Sequence, residues 1–143
     1  MREMLNKVES VLALSPQAIT TDTTTNGEII DMKGFESLLF IVASGTLTDG
    51  DYAFKIEHGA DSGLSDAADV PAELLVDNSA DYHPANDAGG DVSFADSDDD
   101  TVKEMAYIGE KRYVRLSLVS TSTSSGGTLG ATAIKGHARE MPA

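Results

Sequence analysis

Apolar and polar residues alternate in two blocks of the C-terminal third of the chain. This period of two is typical of strands that bury one face. The expected inward residues are Val114, Leu116 and Leu118 in the first block and Leu129, Ala131 and Ala133 in the second. The eight residues between the blocks, 120–127, are small polar residues and glycines that do not continue a strand. The pattern predicts a long antiparallel hairpin within residues 107–137.

A continuously apolar run at residues 38–43 indicates a strand whose two faces both need cover. The opposite sheet of a sandwich covers only one face. A loop, an N-terminal arm or another subunit must cover the other, and intramolecular cover is the favoured alternative. Residues 51–57 then alternate cleanly with Tyr52, Phe54 and Ile56 inward, which predicts a second hairpin with the preceding strand.

The pattern is weaker at the N-terminus and between residues 58 and 100. Apolar residues within 1–19 have a loose helical spacing that Pro16 ends. A frayed or strand-like terminus is favoured over an arm that orders on a neighbouring subunit. Further on, short strands at 74–76 and 92–94 are expected between long loops that bind something or project.

The patterns together predict an all-β protein, an antiparallel β-sandwich of about seven or eight short strands. We expect an N-terminal arm and polar turn over residues 1–27, followed by a single sandwich domain over residues 28–143. A chain of 143 residues is long enough to bury such a core.

Composition excludes several classes of protein. The chain has no cysteine, so neither disulfides nor thiolate metal sites are expected. Its apolar run at residues 11–14 is too short for a signal peptide, and no stretch approaches the ~20 apolar residues of a membrane span. We therefore expect a protein made and used in the cytosol, or assembled there into something larger, without a membrane partner.

The charge of the chain is concentrated in its middle. Residues 45–100 contain fifteen acidic residues and one basic residue, whereas residues 101–143 contain three acidic and six basic residues. An acidic surface repels phosphate backbones, because nucleic-acid binders use clustered Lys and Arg to release counterions. Direct binding of DNA or RNA is therefore not expected.

The acidic run from Asp96 to Asp100 begins like a calcium-binding loop. An EF-hand loop needs Gly at its sixth position and Glu at its twelfth, where this chain has Thr101 and Tyr107. That motif therefore fails. A looser surface calcium site is an alternative to a solvated acidic turn, which is the favoured interpretation.

Other candidate chemistry is weaker still. Ser62, between Asp61 and Gly63, lacks the Gly-x-Ser-x-Gly elbow of a nucleophile. The histidines have no spacing typical of a metal site, and the glycine pairs lack the Lys-Ser/Thr of a phosphate loop. These residues are His58, His83 and His137, and the pairs Gly89-Gly90 and Gly126-Gly127. We predict no catalytic residue, no cofactor site, no metal ligand and no enzymatic activity.

Several segments resemble one group of proteins. They are the run from Tyr107 to Leu116, the Ser/Gly loop and the Ala-rich strand that ends in Ile134-Lys-Gly-His137 near Pro142, together with residues 35–45 and 64–71. Over roughly residues 28–142 the chain looks like small structural proteins of tailed bacteriophages. Members of known role are capsid decoration or cement proteins with a jelly-roll-like β-sandwich, and they have no catalytic signature.

The resemblance implies a non-enzymatic virion protein on the outer capsid surface that stabilises the shell by bridging major capsid subunits. Its partners would be the major capsid protein and further copies of itself. The N-terminal arm and the long loops would make the contacts, and the acidic segment would face solvent. A phage neck or tail adaptor and a carbohydrate-binding β-sandwich are the alternatives.

Lys111, Arg112 and Arg115 form a basic group in this acidic chain. One interpretation is a solvent-facing strand edge whose charges prevent aggregation. The other is a surface that docks onto acidic groups of a second copy or of the capsid.

Overall fold

The structure, a computed structural model, describes residues 3–77 and 93–139. This part of the chain forms ten strands and one short 3-10 helix at Ala72–Leu74. The strands are β1 (Glu9–Ile19), β2 (Thr24–Asp31), β3 (Phe35–Leu47), β4 (Asp51–Gly59), β5 (Ala68–Asp69), β6 (Leu75–Asp77), β7 (Ser93–Phe94), β8 (Val102–Tyr107), β9 (Tyr113–Thr121) and β10 (Gly127–Ala138). Within the described ranges, no helix is long and apolar enough to cross a membrane.

The strands form two antiparallel sheets that pack as a sandwich, which confirms the expected all-β fold. Sheet 1 has the order β1-β10-β3-β8-β6, and sheet 2 has the order β2-β9-β4-β5, with β7 also paired to β4. When β6 and β7 are set aside, the order is first, eighth, third, sixth in one sheet and second, seventh, fourth, fifth in the other. This is the strand order of a jelly roll.

The inner faces of the two sheets enclose the hydrophobic core. Phe40 and Val42 of sheet 1 and Tyr52, Leu116 and Leu118 of sheet 2 are completely buried. Every residue that the alternation predicted to point inward in β4, β9 and β10 is at most 5% exposed. The period-two pattern therefore identified the core faces of these three strands correctly, because successive side chains of a strand point to opposite faces.

The two predicted hairpins are wrong. Strand β9 pairs with β2 and β4 in sheet 2, whereas β10 pairs with β1 and β3 in sheet 1. In the same way, β3 and β4 follow each other in sequence but lie in opposite sheets. Alternation reports that one face of a strand is buried, but it does not report which strand lies alongside it. Here the connecting loops cross from one sheet to the other.

The helical interpretation of the N-terminus is also wrong. Residues 9–19 form β1, an edge strand that pairs with β10. The alternative of a strand-like terminus is therefore the correct one. The ladder to β10 has irregularities between Leu12 and Leu14 and between Leu14 and Gln17. Pro16 is tolerated at this position because an edge strand at a bulge does not need every backbone N–H for pairing. Residues 9–19, expected to form an arm, are thus part of sheet 1.

The weak middle segment contains the expected short strands, the first of them displaced by one residue. The strand predicted at 74–76 is β6, which pairs with β8. Ser93 and Phe94 of the strand predicted at 92–94 pair with β4, and Val92 lies outside the described residues. Phe94 is fully buried and packs on Phe54 with ring centroids 5.9 Å apart.

Truncation of the central aromatic residue of β3 tests the position of the core. Phe40→Ala should lower the free energy of unfolding by about 3–5 kcal/mol, because it leaves a cavity between the sheets. Leu12→Ala is the control, since Leu12 is 51% exposed on the same sheet. Denaturant unfolding monitored by circular dichroism measures both variants. Equal losses of stability for the two would contradict the placement of Phe40 at the centre of the core.

Candidate functional site

The outer face of sheet 1 is built mainly from apolar residues. Cross-strand pairing aligns Leu12 with Thr132 and Ile41, and it aligns Gly130 with Ala43 and Val102. We call this surface the apolar face and define it by Leu12, Leu39, Ile41, Ala43, Val102, Ala106, Gly130, Thr132 and Ile134. One charged residue, Glu104, lies among them, because it pairs with Ile41. A shallow groove of about 330 Å³, whose lining includes Leu12 and Ile41, runs across it.

The apolar face is only partly covered. In the run 38–43, alternate residues point into the core and are buried, whereas Leu39 and Ile41 are half-buried and Ala43 is exposed. Leu12 and Val102 are 51% and 57% exposed. The chain itself was expected to cover the second face of the strand at 38–43, and it covers this face only in part. Exposed apolar patches of this kind commonly mark interaction sites.

The outer face of sheet 2 has the opposite character. Arg115 of β9 forms an ion pair with Glu57 of β4 at 3.1 Å, and the Ser117 hydroxyl donates to the Asn26 side chain at 3.0 Å. These polar groups pair with each other across neighbouring strands. The polar groups of this face are therefore mostly paired within the chain, although among the described residues Nε of Arg115 is buried without a hydrogen-bond partner.

These pairs also correct the interpretation of the basic group. Strand β9 lies between β2 and β4, so Arg115 is not on a sheet edge. Arg112 donates two hydrogen bonds to Asp31, at 2.9 and 3.0 Å. The Arg112 guanidinium lowers the pKa of Asp31 to about 2. Both arginines are thus neutralised by intrachain carboxylates, and of the three basic residues only Lys111 is left for a partner.

At one end of the sandwich, aspartates hold the loops that join the sheets. The Asp49 carboxylate accepts hydrogen bonds from the backbone N–H groups of Ser124, Ser125 and Gly126 and from the Ser124 hydroxyl. Asp22 accepts from the backbone and the hydroxyl of Thr123. These hydrogen bonds lower the pKa of both carboxyls. Each aspartate therefore has a structural role in the β9–β10 loop.

The expected acidic turn lies at the same end, between β7 and β8. Its carboxylates do not converge on one point, because Asp98 accepts from Ala95 and pairs with Lys103 at 3.1 Å, whereas Asp99 accepts from the backbone of Leu47. In residues 3–77 and 93–139, no three His, Cys, Asp or Glu side chains are grouped to hold a metal. This geometry gives the looser calcium site no support.

At the opposite end, a cavity of about 580 Å³ lies between the β2–β3 turn, the β8–β9 loop and the end of β10. We call it the basic cavity, because its charged lining residues are Lys33, Lys111, Arg112 and Arg139 with Glu36 and Glu110. Tyr107 forms part of its wall, and the Tyr107 hydroxyl lies 2.8 Å from Nδ1 of His58. Sequence patterns missed this cavity, because its residues come from three separate segments.

The other chemical candidates are dispersed. Burial and then the charge of Lys111 lower the pKa of His58, and His137 is exposed near the end of β10. Ser62 lies in an exposed turn that Asp61 caps by accepting from Gly63 and Ser65. Gly126 has φ of +79° in a tight loop. His83, Pro142 and the pair Gly89-Gly90 lie outside the described residues.

Comparison with known proteins finds similarity in structure. No protein-family model matches the chain, and no curated protein matches its sequence. The SPBc2 prophage-derived protein YomS superposes with a TM-score of 0.50 at 15% identity, over 90% of this chain and 91% of YomS. The likeness shows that the two proteins share a fold over nearly their whole lengths.

Two more distant matches come from infectious bursal disease virus. A chain of the Gx strain structure matches with a TM-score of 0.38 at 12% identity, over 95% of this chain and 33% of the viral chain. The VP2 subviral particle matches with a TM-score of 0.35 at 11% identity, over 92% of this chain and 33% of the viral chain.

Removal of the Asp49 charge tests the structural role of this aspartate. Asp49→Asn should lower the thermal midpoint of unfolding at pH 7, because the amide accepts fewer hydrogen bonds from the β9–β10 loop. Folding depresses the pKa of Asp49, so its contribution is present above the unfolded-state pKa of about 4 and is lost as the pH falls through the lower folded-state pKa.

The difference in midpoint between wild type and Asp49→Asn should therefore shrink below pH 4. Asp51→Asn, a neighbouring exposed aspartate at the start of β4, is the control and should change little. Calorimetry from pH 2 to pH 7 measures all three proteins. An equal effect of the two substitutions at pH 7 would contradict the assignment.

Proposed function

We propose that this chain is a structural protein of a tailed-phage particle, which sits on the outer surface of the capsid and stabilises it by bridging major capsid subunits. The observation that carries the proposal is the apolar face, which the chain exposes on a jelly-roll scaffold. The protein acts by binding, and the proposal assigns it no catalytic step.

The origin of the structural neighbour supports a role in a phage. YomS is derived from a prophage, and it shares the fold of this chain over 90% of the chain's length. The segments that resemble phage head proteins fall on strands β3, β5, β9 and β10, on the last residue of β8 and on the loops beside these strands. They describe the scaffold, so the contact surface has to be inferred from exposure and charge.

The size of the apolar face suggests how the protein binds. Four strands about 4.8 Å apart, each contributing about five residues, give a surface of roughly 320 Å². One partner of a standard stable interface contributes about 800 Å². A single contact through this face is therefore weak, and firm attachment requires additional contacts or many copies on one shell.

The N-terminal residues offer further exposed apolar side chains. Met4 and Leu5 precede β1, on the edge of the same sheet, and are 67% and 81% exposed. Contacts that exist only on the assembled shell stabilise it by mass action, because they bind the closed lattice and not its dissociated subunits. Decoration would oppose rupture of the shell in this way.

The distribution of aromatic side chains disfavours the carbohydrate-binding alternative. Phe40, Tyr52, Phe54, Phe94 and Tyr107 are all buried in or beside the core. In the described part of the chain, only Phe35 and Tyr113 are partly exposed aromatics, and both have a cation above the ring. A sugar-binding platform needs aromatic faces that are open to the ligand.

The number of copies per particle tests the location. Quantitative mass spectrometry of purified particles should give a ratio to the major capsid protein near one, or a simple fraction such as one third. Such ratios indicate coverage of the lattice. A handful of copies would assign the protein to the neck or tail instead, and absence from particles would overturn the proposed virion role.

Charged substitutions on the apolar face test the docking surface. Leu12→Glu plus Val102→Glu should reduce binding to undecorated capsids by about tenfold or more, because two charges would be buried at the contact. Ile29→Glu is the matched control, since Ile29 is 36% exposed on the outer face of sheet 2.

Co-sedimentation with capsids measures binding, and circular dichroism establishes that all variants are folded. Unchanged binding of the double variant would exclude the apolar face as the docking surface. Equal loss in the Ile29 control would show that binding is not specific to sheet 1.

A further inference from the structure

The basic cavity gathers cations in a strongly acidic protein. Four of the ten Lys and Arg residues line it, although the chain has a net charge of −14. Its volume of about 580 Å³ lies within the range of sites that hold ligands or peptide segments. The lining also contains two carboxylates, Glu36 and Glu110, and Asp31 beside the cavity pairs with Arg112, so the cavity keeps one net positive charge.

Two of these cations are left for a partner. Arg112 is held by Asp31, and Arg139 lies 3.5 Å from Glu36. Lys33 and Lys111 are exposed and form no ion pair with a described carboxylate. The cavity therefore presents two ammonium groups that an anionic group can approach.

The other end of the sandwich has the complementary feature. We call residues 95–101, between β7 and β8, the acidic loop. Within it, Asp98 and Asp99 are engaged by Ala95, Lys103 and Leu47, whereas the side chains of Asp96 and Asp100 are exposed and make no hydrogen bond to a described donor. Two carboxylates are thus directed to solvent from a loop whose backbone is held in place.

The two features cannot meet within one chain. The acidic loop bonds to residues at the end of β3, as in the Asp100 N–H to Gly45 carbonyl bond, whereas Phe35 at the start of β3 lines the basic cavity. The 13 residues of β3 span about 40 Å. This separation is several times the Debye length of about 10 Å at 0.1 M salt. Complementarity can be satisfied only between molecules.

We propose that the acidic loop of one copy docks into the basic cavity of a second copy, head to tail, with Asp96 and Asp100 facing Lys33 and Lys111. Charge complementarity selects this partner, because a second copy brings the acidic loop already ordered. The contact is heterologous, so it builds a ring or an open row of subunits. This contact is separate from the proposed role on the shell and does not depend on that role, since isolated chains can form the contact.

Charge reversal in the isolated protein tests the contact. Sedimentation equilibrium of the wild-type chain should show self-association at 50 mM NaCl that weakens by about tenfold or more at 500 mM NaCl. Lys33→Glu plus Lys111→Glu should abolish association, and so should Asp96→Lys plus Asp100→Lys. A chain with all four substitutions keeps the net charge of −14 and should associate again, because both partners of the contact are exchanged.

A matched control separates this contact from general repulsion. Lys33→Glu, Lys111→Glu, Glu28→Lys and Asp69→Lys in one chain also keep the net charge of −14, but they leave the acidic loop unchanged. Glu28 and Asp69 are exposed residues of β2 and β5. This variant should remain monomeric, and circular dichroism establishes that each variant is folded.

Three outcomes would overturn the proposal. They are a wild-type chain that is monomeric at both salt concentrations, a control that associates as well as the exchanged variant, and a loop reversal that leaves association intact. The last would assign the cavity to another acidic segment. Because no particle is used, a failure here is distinct from a failure of the copy-number test.

Discussion

Packing between the inner faces of the two sheets is the interaction on which the rest of the structure depends. Phe40 and Val42 from one sheet meet Tyr52, Leu116 and Leu118 from the other, and all five are fully buried. Apart from β4 and β5, strands that follow each other in sequence lie in opposite sheets, so this core forms only when distant segments such as β1 and β10 have paired. The chain must lose the entropy of closing long loops before the apolar side chains are buried. Proteins with many such non-local strand pairs therefore fold slowly.

The two sheets share one core, so each has an outer face. The two outer faces differ in polarity. The outer face of sheet 2 pairs its polar groups across strands, as in Arg115 with Glu57. The outer face of sheet 1 keeps Leu12 and Val102 exposed. Polar groups that are already hydrogen-bonded within the chain gain little free energy from a protein partner, because each new hydrogen bond would replace an existing one. Apolar side chains gain by leaving water. The asymmetry between the faces thus gives the proposed attachment a direction.

Much of the acidity of the chain has a structural purpose. Asp22, Asp49, Asp61, Asp66 and Asp98 all accept hydrogen bonds from backbone N–H groups of loops, and these bonds lower the pKa of each carboxyl. Loops that cross between sheets expose backbone donors that no strand satisfies, and carboxylates are strong acceptors for them. Asp96 and Asp100 are exposed and have no such role, and they are the carboxylates that we propose for the contact with a second copy.

The sequence by itself determined the all-β class, most strand positions and the inward residues of β4, β9 and β10, because alternation and burial are local properties of a strand. It also excluded thiolate chemistry, since the chain has no cysteine. Only the tertiary structure decided which strands pair. The same alternating pattern fits a hairpin and a crossing between sheets, so both predicted hairpins were wrong. It also decided that Arg112 and Arg115 are neutralised by Asp31 and Glu57, and that Lys33 and Lys111 share one cavity. These contacts join residues that are distant in sequence, and no local pattern encodes their distance in space.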